Sequence, residues 1–177
     1  MKRRLLLAAV LMCSFPAMAG WIDGNGRPVP DSDDRKSSGD FGVQLVLTGD
    51  AKTFRDTWNR PGTPILPTTK IVQQGESVST ILLFAGCKPG KDGRCNVDVK
   101  YLLISPNGSS DDFGTTPVSR RAAPKPGITE LGDSGVTLEF NHDDPAGRYV
   151  FVATVTDRVA NKTVEVSAQV TAKDKWI

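Results

Sequence analysis

The strongest constraint on the fold of this chain is an alternation of apolar and polar residues that recurs in successive segments. A period of two is the period of side chains along a half-buried β-strand. The alternation is clear in residues 41–47, 97–103, 136–140, 149–155 and 164–170. No segment shows a convincing helical period, and turn-forming residues separate the alternating segments. The sequence therefore predicts an all-β sandwich of about seven or eight strands.

Residues 1–19 have the three parts of a bacterial-type secretory signal peptide. Residues 2–4 are basic, residues 5–15 are apolar, and residues 17–19 supply the small side chains that a signal peptidase recognises. The apolar run is short for a membrane-spanning helix, and no second one follows it. The sequence predicts cleavage after residue 19, export to the periplasm and no stable membrane insertion. Secretion from the cell, a retained anchor and lipid attachment at Cys13 are the alternatives.

The charge and composition of the remaining chain suit a single soluble module. Loss of the three basic residues 2–4 changes the formal net charge from +2 to −1. A near-neutral chain has no electrostatic basis for binding nucleic acid. Residues 20–40 are rich in glycine, proline and aspartate, which predicts a flexible N-terminal arm. Residues 41–177 are predicted to form one domain.

Two cysteines remain outside the predicted signal peptide, Cys87 and Cys95, and residues 88–93 between them are dense in turn-forming residues. In an oxidising compartment such a pair predicts a disulfide. Residues 78–85 before the turn are apolar at both odd and even positions, which predicts a strand covered on both faces. The sequence therefore predicts a hairpin with a disulfide across its tip. Two thiols and one distant histidine fall short of the four ligands of a typical zinc site, so no metal is predicted.

Residues 106–127 combine several prolines and glycines with almost no periodicity, which predicts a long loop. Long ordered loops often carry function, and rigid hairpin tips suit recognition because little entropy is lost on binding. These two surfaces are the predicted sites of partner contact. The basic residues predicted to contact the partner are Lys88, Lys91, Arg120 and Arg121.

Residues 144–151 contain a Pro-x-Gly-x-Tyr sequence formed by Pro145, Gly147 and Tyr149. This stretch resembles the corner before strand F of bacterial immunoglobulin-like and fibronectin-III-like domains. The resemblance covers about residues 70–172 and implies an immunoglobulin-like antiparallel β-sandwich. It also implies that the Tyr149 hydroxyl bonds a nearby backbone group. It implies no particular function, because this architecture carries many unrelated ones.

A second resemblance is to uncharacterised small exported proteins of Gram-negative bacteria. It rests on a Phe-Ala-Gly-Cys strand end at residues 84–87 and a Ser-Pro-Asn-Gly turn at residues 105–108. This resemblance implies no activity.

The sequence predicts a non-catalytic binding or scaffolding module of the bacterial cell envelope, without a cofactor, that meets a protein or an envelope polymer. No Gly-x-Ser-x-Gly or phosphate-binding sequence is present. One alternative is a hydrolase of envelope polymers that uses His142, Asp143 and Asp144. Another is an accessory subunit with an exposed apolar edge near Trp58 or residues 176–177. Acidic turns, such as the one at residues 143–144, leave weak calcium binding open.

Overall fold

The computed structural model describes Trp21, residues 27–62 and residues 65–174. The predicted signal peptide and residues 176–177 lie outside these described residues. In the part that is described, no helix is long and apolar enough to cross a membrane.

The described residues contain two five-stranded sheets and one short helix, so the predicted all-β sandwich is confirmed. The elements in chain order are β1 (Arg35–Ser38), β2 (Phe41–Thr48), α1 (Ala51–Trp58), β3 (Ile71–Gln73), β4 (Ser77–Ala85), β5 (Val97–Ile104), β6 (Ser110–Ser119), β7 (Thr129–Leu131), β8 (Thr137–Glu139), β9 (Gly147–Asp157) and β10 (Lys162–Lys173). The first sheet has the order β1-β2-β4-β7, with β8 also paired to β4, and the second has the order β3-β10-β9-β5-β6. All pairs are antiparallel except β3–β10, which is parallel.

The predicted flexible arm over residues 20–40 is wrong for the part that the structure describes. Residues 35–38 form β1, and each of them pairs with a residue of β2. Trp21 is buried, and its indole N–H donates to the carbonyl of Lys36 over 3.2 Å. Composition did not indicate this strand, because β1 has no apolar alternation and is held by its backbone pairing. The described part of the arm therefore belongs to the sandwich.

One helix accompanies the strands although no segment of the sequence shows a clear helical period, and this helix, α1, covers two turns after β2. The carboxylate of Asp50 caps the helix by accepting the backbone N–H of Thr53 over 2.8 Å. Phe54 is the one fully buried residue of the helix. Eight residues with a single buried anchor are too few to show a 3.6-residue period in the sequence.

Apolar side chains form two clusters, one between the sheets and one outside the first sheet. The outer cluster contains Trp21, Phe54, Ile81 and Leu83. The inner cluster takes the other face of β4, including Leu82 and other buried residues of both sheets. The prediction that residues 78–85 are covered on both faces is therefore confirmed.

Cys87 and Cys95 form the predicted disulfide, with their Cα atoms 5.8 Å apart. The predicted hairpin is wrong, however, because β4 lies in the first sheet and β5 in the second. The disulfide therefore closes a connection that crosses from one sheet to the other. A period-two pattern says which residues face the core, and it does not say which sheet a strand joins.

The predicted loop over residues 106–127 contains β6, a ten-residue strand at the edge of the second sheet. Most of its side chains are exposed on both faces, so no alternation marked it as a strand. The tight turn before it is present, with the N–H of Gly108 bonded to the carbonyl of Ser105 over 2.9 Å.

The corner before β9 has the geometry that the immunoglobulin-like resemblance implied. The Tyr149 hydroxyl donates to the carbonyl of Pro145 over 2.9 Å, and its ring meets Phe140 edge-on with centroids 4.8 Å apart. Gly147 has a φ of +138°, and a Cβ there would lie 2.8 Å from Pro106 Cβ. Only glycine fits this corner without strain.

Candidate functional site

A groove of about 1140 Å³ opens at the end of the sandwich that carries the disulfide. One wall is the last residue of β4 and the segment after it, at residues 85–89, and the other is the segment before β7, at residues 123–127. The groove is also lined by Trp21, Asp40, Gly93, Ala160 and the start of β10 at Lys162. The groove therefore brings together parts of the two surfaces that the sequence predicts for partner contact.

The disulfide-closed loop holds both walls of the groove. Cys87 itself lies in the first wall. At the other end of the loop, the N–H of Cys95 donates to the carbonyl of Arg121 over 2.8 Å. The carbonyl of Gly93 accepts the N–H of Ala123 over 3.0 Å. The same loop thus forms one wall and fixes the start of the other.

Asp157, at the end of β9, anchors the first wall from beneath. Its side chain is fully buried. One carboxyl oxygen accepts the backbone N–H of Lys88 over 2.7 Å. The other accepts the N–H groups of Val159 and Ala160 over 2.9 and 3.1 Å. A single carboxyl group therefore ties the β9–β10 turn to the wall, and its three hydrogen bonds compensate the cost of burying it.

Gly86 lets the first wall approach the β1–β2 turn more closely than any other residue would. Its φ is +67°, and a Cβ there would lie 1.9 Å from the carbonyl oxygen of Asp40. Any side chain at residue 86 would push the wall away from Asp40, which also lines the groove.

Positive charge dominates the groove. Lys88, Lys125 and Lys162 line it together with one acid, Asp40. Within the described residues, no ion pair or side-chain hydrogen bond holds any of these three lysines. Their charges are therefore available to a ligand.

The four basic residues predicted to contact a partner fall into different surroundings. Lys88 lines the groove, and Lys91 lies on the exposed turn beside it without lining it. The guanidinium of Arg120 pairs with Asp98 and donates to the carbonyl of Val97 over 2.7 Å.

Arg121 is also held within the molecule. Its guanidinium lies 3.6 Å from Glu130 and 3.4 Å from Asp133, and it donates to the carbonyl of Leu131. The two arginines therefore fasten the segment after β6 to its neighbours.

Two groove lysines were absent from that predicted set, Lys125 and Lys162. Lys125 lies between two prolines, Pro124 and Pro126, and this flanking is a local signal of an exposed, extended segment. Lys162 begins a strand that is distant in sequence from both walls. No local pattern could have placed Lys162 at the groove, because the contact depends on the pairing of the strands.

The Asp98 carboxylate, on β5, pairs with the guanidiniums of Arg120 and Arg158. Burial acts to raise the pKa of Asp98, but hydrogen bonds from Arg120 and Arg158 outweigh burial and lower the pKa below its usual range. The Arg158 Nε lies 2.9 Å from the carboxylate. The lowered pKa means that the charged form of Asp98 stabilises the folded state.

This pKa shift predicts a loss of stability in acid. A lowered folded-state pKa gives stability that is present above the unfolded pKa, and it is lost as the pH falls through the folded value, below about pH 4. We expect Asp98→Asn to lower the free energy of unfolding at neutral pH, and the difference from wild type to shrink as the pH falls below about 4. Urea unfolding across this pH range measures the difference. A difference that stayed constant with pH would contradict the role of the Asp98 charge.

The predicted alternative catalytic residues lie at the other end of β9 from the groove. The 11 residues of β9 span about 30 Å. His142 and Asp143 have side chains that are 92% and 107% exposed, with Nδ1 and Oδ1 3.9 Å apart. The Asp144 carboxylate accepts the backbone N–H of Asn141 over 2.6 Å, as a turn acid does. Side chains this exposed are surrounded by solvent, so their geometry gives the hydrolase hypothesis no support.

Two further predicted features have a structural placement. Trp58, predicted to lie near an exposed apolar edge, is half-buried and packs against the outer apolar cluster. The acidic turns form no metal site with other side chains. In the described part of the chain, no group of three or more His, Cys, Asp or Glu residues could hold a metal ion.

Comparison with known proteins finds weak structural similarity. No family model and no curated protein matches the sequence. Among solved structures, the chain resembles an alkylpurine DNA glycosylase from Pseudomonas fluorescens, with 14% identity and a TM-score of 0.40 over 59% of this chain and 28% of that one. It also resembles a family 123 glycoside hydrolase from Clostridium perfringens, with 9% identity and a TM-score of 0.42 over 76% of this chain and 27% of that one.

A third similar structure is an immunoglobulin-like protein from Pseudomonas aeruginosa. The identity is 13% and the TM-score 0.31, over 74% of this chain and 91% of that one. The chain spans little more than a quarter of the length of the glycosylase and the hydrolase. Likenesses this low assign the chain to no family, and the activities of these proteins are not carried over to it.

Proposed function

We propose that this chain is an exported, non-catalytic binding module of the bacterial cell envelope that holds its partner in the end groove. The observation that carries the proposal is the groove itself, with three lysines, Lys88, Lys125 and Lys162, that no acid among the described residues pairs with. Its volume of about 1140 Å³ exceeds the ~300–1,000 Å³ of typical small-molecule sites. A groove of this size suits a segment of a macromolecule.

The construction of the walls also supports a binding role. The disulfide, the Asp157 hydrogen bonds and the prolines of both walls restrict the backbone before any ligand arrives. A preorganised site loses less conformational entropy on binding, so more of the contact energy is retained as affinity. The titratable side chains of the described lining are Lys88, Lys125, Lys162 and Asp40. This set includes no histidine or free thiol to act as a general base or nucleophile near neutral pH.

Export is the part of the proposal that rests on the sequence and the disulfide. Disulfides persist in the periplasm and outside the cell, and they are rare in the cytosol. We propose the periplasm as the site of action, with secretion as the alternative. The export signal and the Cys87–Cys95 bond support the same compartment.

Site-specific photocrosslinking in living cells tests the proposal. The full chain is expressed with benzoylphenylalanine in place of Pro126, which lines the groove, or in place of His142 at the opposite end. We expect the Pro126 probe to capture one envelope partner in good yield and the His142 probe to capture none. Capture from residue 142 alone, or from neither position, would overturn the proposal.

A charge-reversal pair supplies the matched control. Lys88→Glu with Lys125→Glu alters the groove, whereas Lys70→Glu with Lys173→Glu makes the same change of charge on exposed lysines that do not line it. We expect the groove pair to reduce capture from residue 126 at least about tenfold and the control pair to leave it unchanged. Equal losses in both pairs would show a general effect of charge and would contradict a specific groove.

A further inference from the structure

The inference below rests on the proposed function and deepens it by naming the chemistry of the partner. We propose that the groove recognises an acidic protein segment that carries at least one aliphatic or aromatic side chain. Charge, apolar exposure and the donor content of the walls each contribute to this assignment.

The groove lysines lie on three separate segments of the chain. Lys88 follows β4, Lys125 precedes β7, and Lys162 begins β10. Each ammonium group is a compact point charge with three donors, and Asp40 offers the described lining's one compensating charge. An arrangement spread over three segments fits several carboxylates along a partner segment better than one small anion. Charge complementarity therefore assigns an acidic partner.

Apolar surface accompanies the lysines. Beside the groove, Ile128 is 51% exposed between Gly127 and Thr129, which both line the groove although Ile128 itself does not. The rings of Pro89, Pro124 and Pro126 add further apolar lining. Burial of such surface is most favourable when the partner brings apolar side chains of its own. An anionic polysaccharide has no such side chains, so this surface favours a protein.

The prolines also remove backbone donors from the walls. Pro124 and Pro126 have no N–H, so this stretch offers the ligand side chains and carbonyls instead of a strand edge. We therefore expect the groove to recognise its partner through exposed ammonium groups and apolar contacts. The electrostatic part of this binding weakens as salt screens the charges.

Selection from a displayed random-peptide library tests the inference. The immobilised target is the mature chain with its disulfide intact. We expect the selected peptides to be enriched in Asp and Glu together with an aliphatic or aromatic residue. Fluorescence anisotropy of one selected peptide then measures its affinity, which we expect to fall as salt is raised.

The variants locate the site. We expect Lys88→Glu with Lys125→Glu to weaken peptide binding at least about tenfold, and Lys70→Glu with Lys173→Glu to leave it unchanged. Ile128→Ser should weaken binding severalfold while leaving the unfolding midpoint in urea unchanged, because the residue is exposed. Peptides without acidic enrichment, or binding that ignores the groove pair, would overturn the inference.

A second probe separates this inference from the proposed function. Heparin serves as a soluble anionic polysaccharide. If heparin binds in a groove-dependent way and the library yields no peptide, the acidic-protein assignment fails while the binding module stands. If acidic peptides bind the groove but no partner crosslinks from residue 126 in cells, the proposed envelope function fails and the chemical assignment stands.

Discussion

Removal of the disulfide by Cys87→Ala with Cys95→Ala should lower the free energy of unfolding by about 2–3 kcal/mol and abolish ligand capture by the groove. The stability loss follows from the entropy of closing a short loop, here with a sequence separation of 8 residues. The loss of capture follows from the walls, because Cys87 lies in one wall and the Cys95 N–H bonds the segment that leads into the other. Urea unfolding measures the first effect, and crosslinking from residue 126 measures the second.

Two controls separate the effect on the groove from the effect on stability. Dithiothreitol should reproduce both losses in the wild type and change nothing in the double variant. The crosslinking is carried out at a temperature where circular dichroism shows both proteins fully folded. Full capture by a folded, disulfide-free chain would show that the groove forms without the bridge, and the structural role assigned to the bridge would be wrong.

The sequence predicts the parts of this fold that follow from local burial. The alternation at Val97, Val99 and Tyr101 requires one buried face, and the structure buries all three. The same holds for Cys87 and Cys95, because two cysteines outside the predicted signal peptide leave one connectivity within the chain.

The parts that sequence reasoning missed are those determined by pairing between distant segments. The short strand β1 has no alternation, and its register with β2 holds it in place. In β6, both faces are largely exposed, so the hydrogen bonds to β5 define the strand. Helix α1 has one fully buried residue, Phe54, which packs on a face of the first sheet that the sequence could not identify.

The candidate site was predicted in outline and corrected in detail for the same reason. Both predicted surfaces supply a wall of the groove. They could be predicted because their turn-forming residues are visible in the sequence. Arg120 and Arg121 looked available to a partner, yet acids from β5, from β7 and from the residues after β7 pair with them. Lys162 looked like one strand residue among many, and the strand order brings it to the groove. Charge in a sequence therefore identifies a candidate, and pairing decides whether the charge is free.

The second large effect expected is from Asp157→Ala, which should lower the free energy of unfolding by about 3 kcal/mol or more. The substitution leaves the N–H groups of Lys88, Val159 and Ala160 without their acceptor. A buried donor that loses its partner costs ~1–3 kcal/mol, and the turn can recover part of that cost by admitting water. Urea unfolding at neutral pH measures the change.

Asp143→Ala is the matched control, because Asp143 is fully exposed and should change the free energy of unfolding by less than about 0.5 kcal/mol. The loss of unfolding free energy in Asp157→Asn should lie between those of Asp157→Ala and Asp143→Ala. The amide oxygen of Asn still accepts the N–H groups of the β9–β10 turn, but its NH₂ group faces the backbone N–H of Lys88, and two donors cannot bond each other. Crosslinking from residue 126 should follow the same order, because the Lys88 backbone forms part of the groove wall. If Asp157→Ala unfolds like the Asp143 control, the carboxyl group does not anchor the wall, and the disulfide must fix the groove on its own.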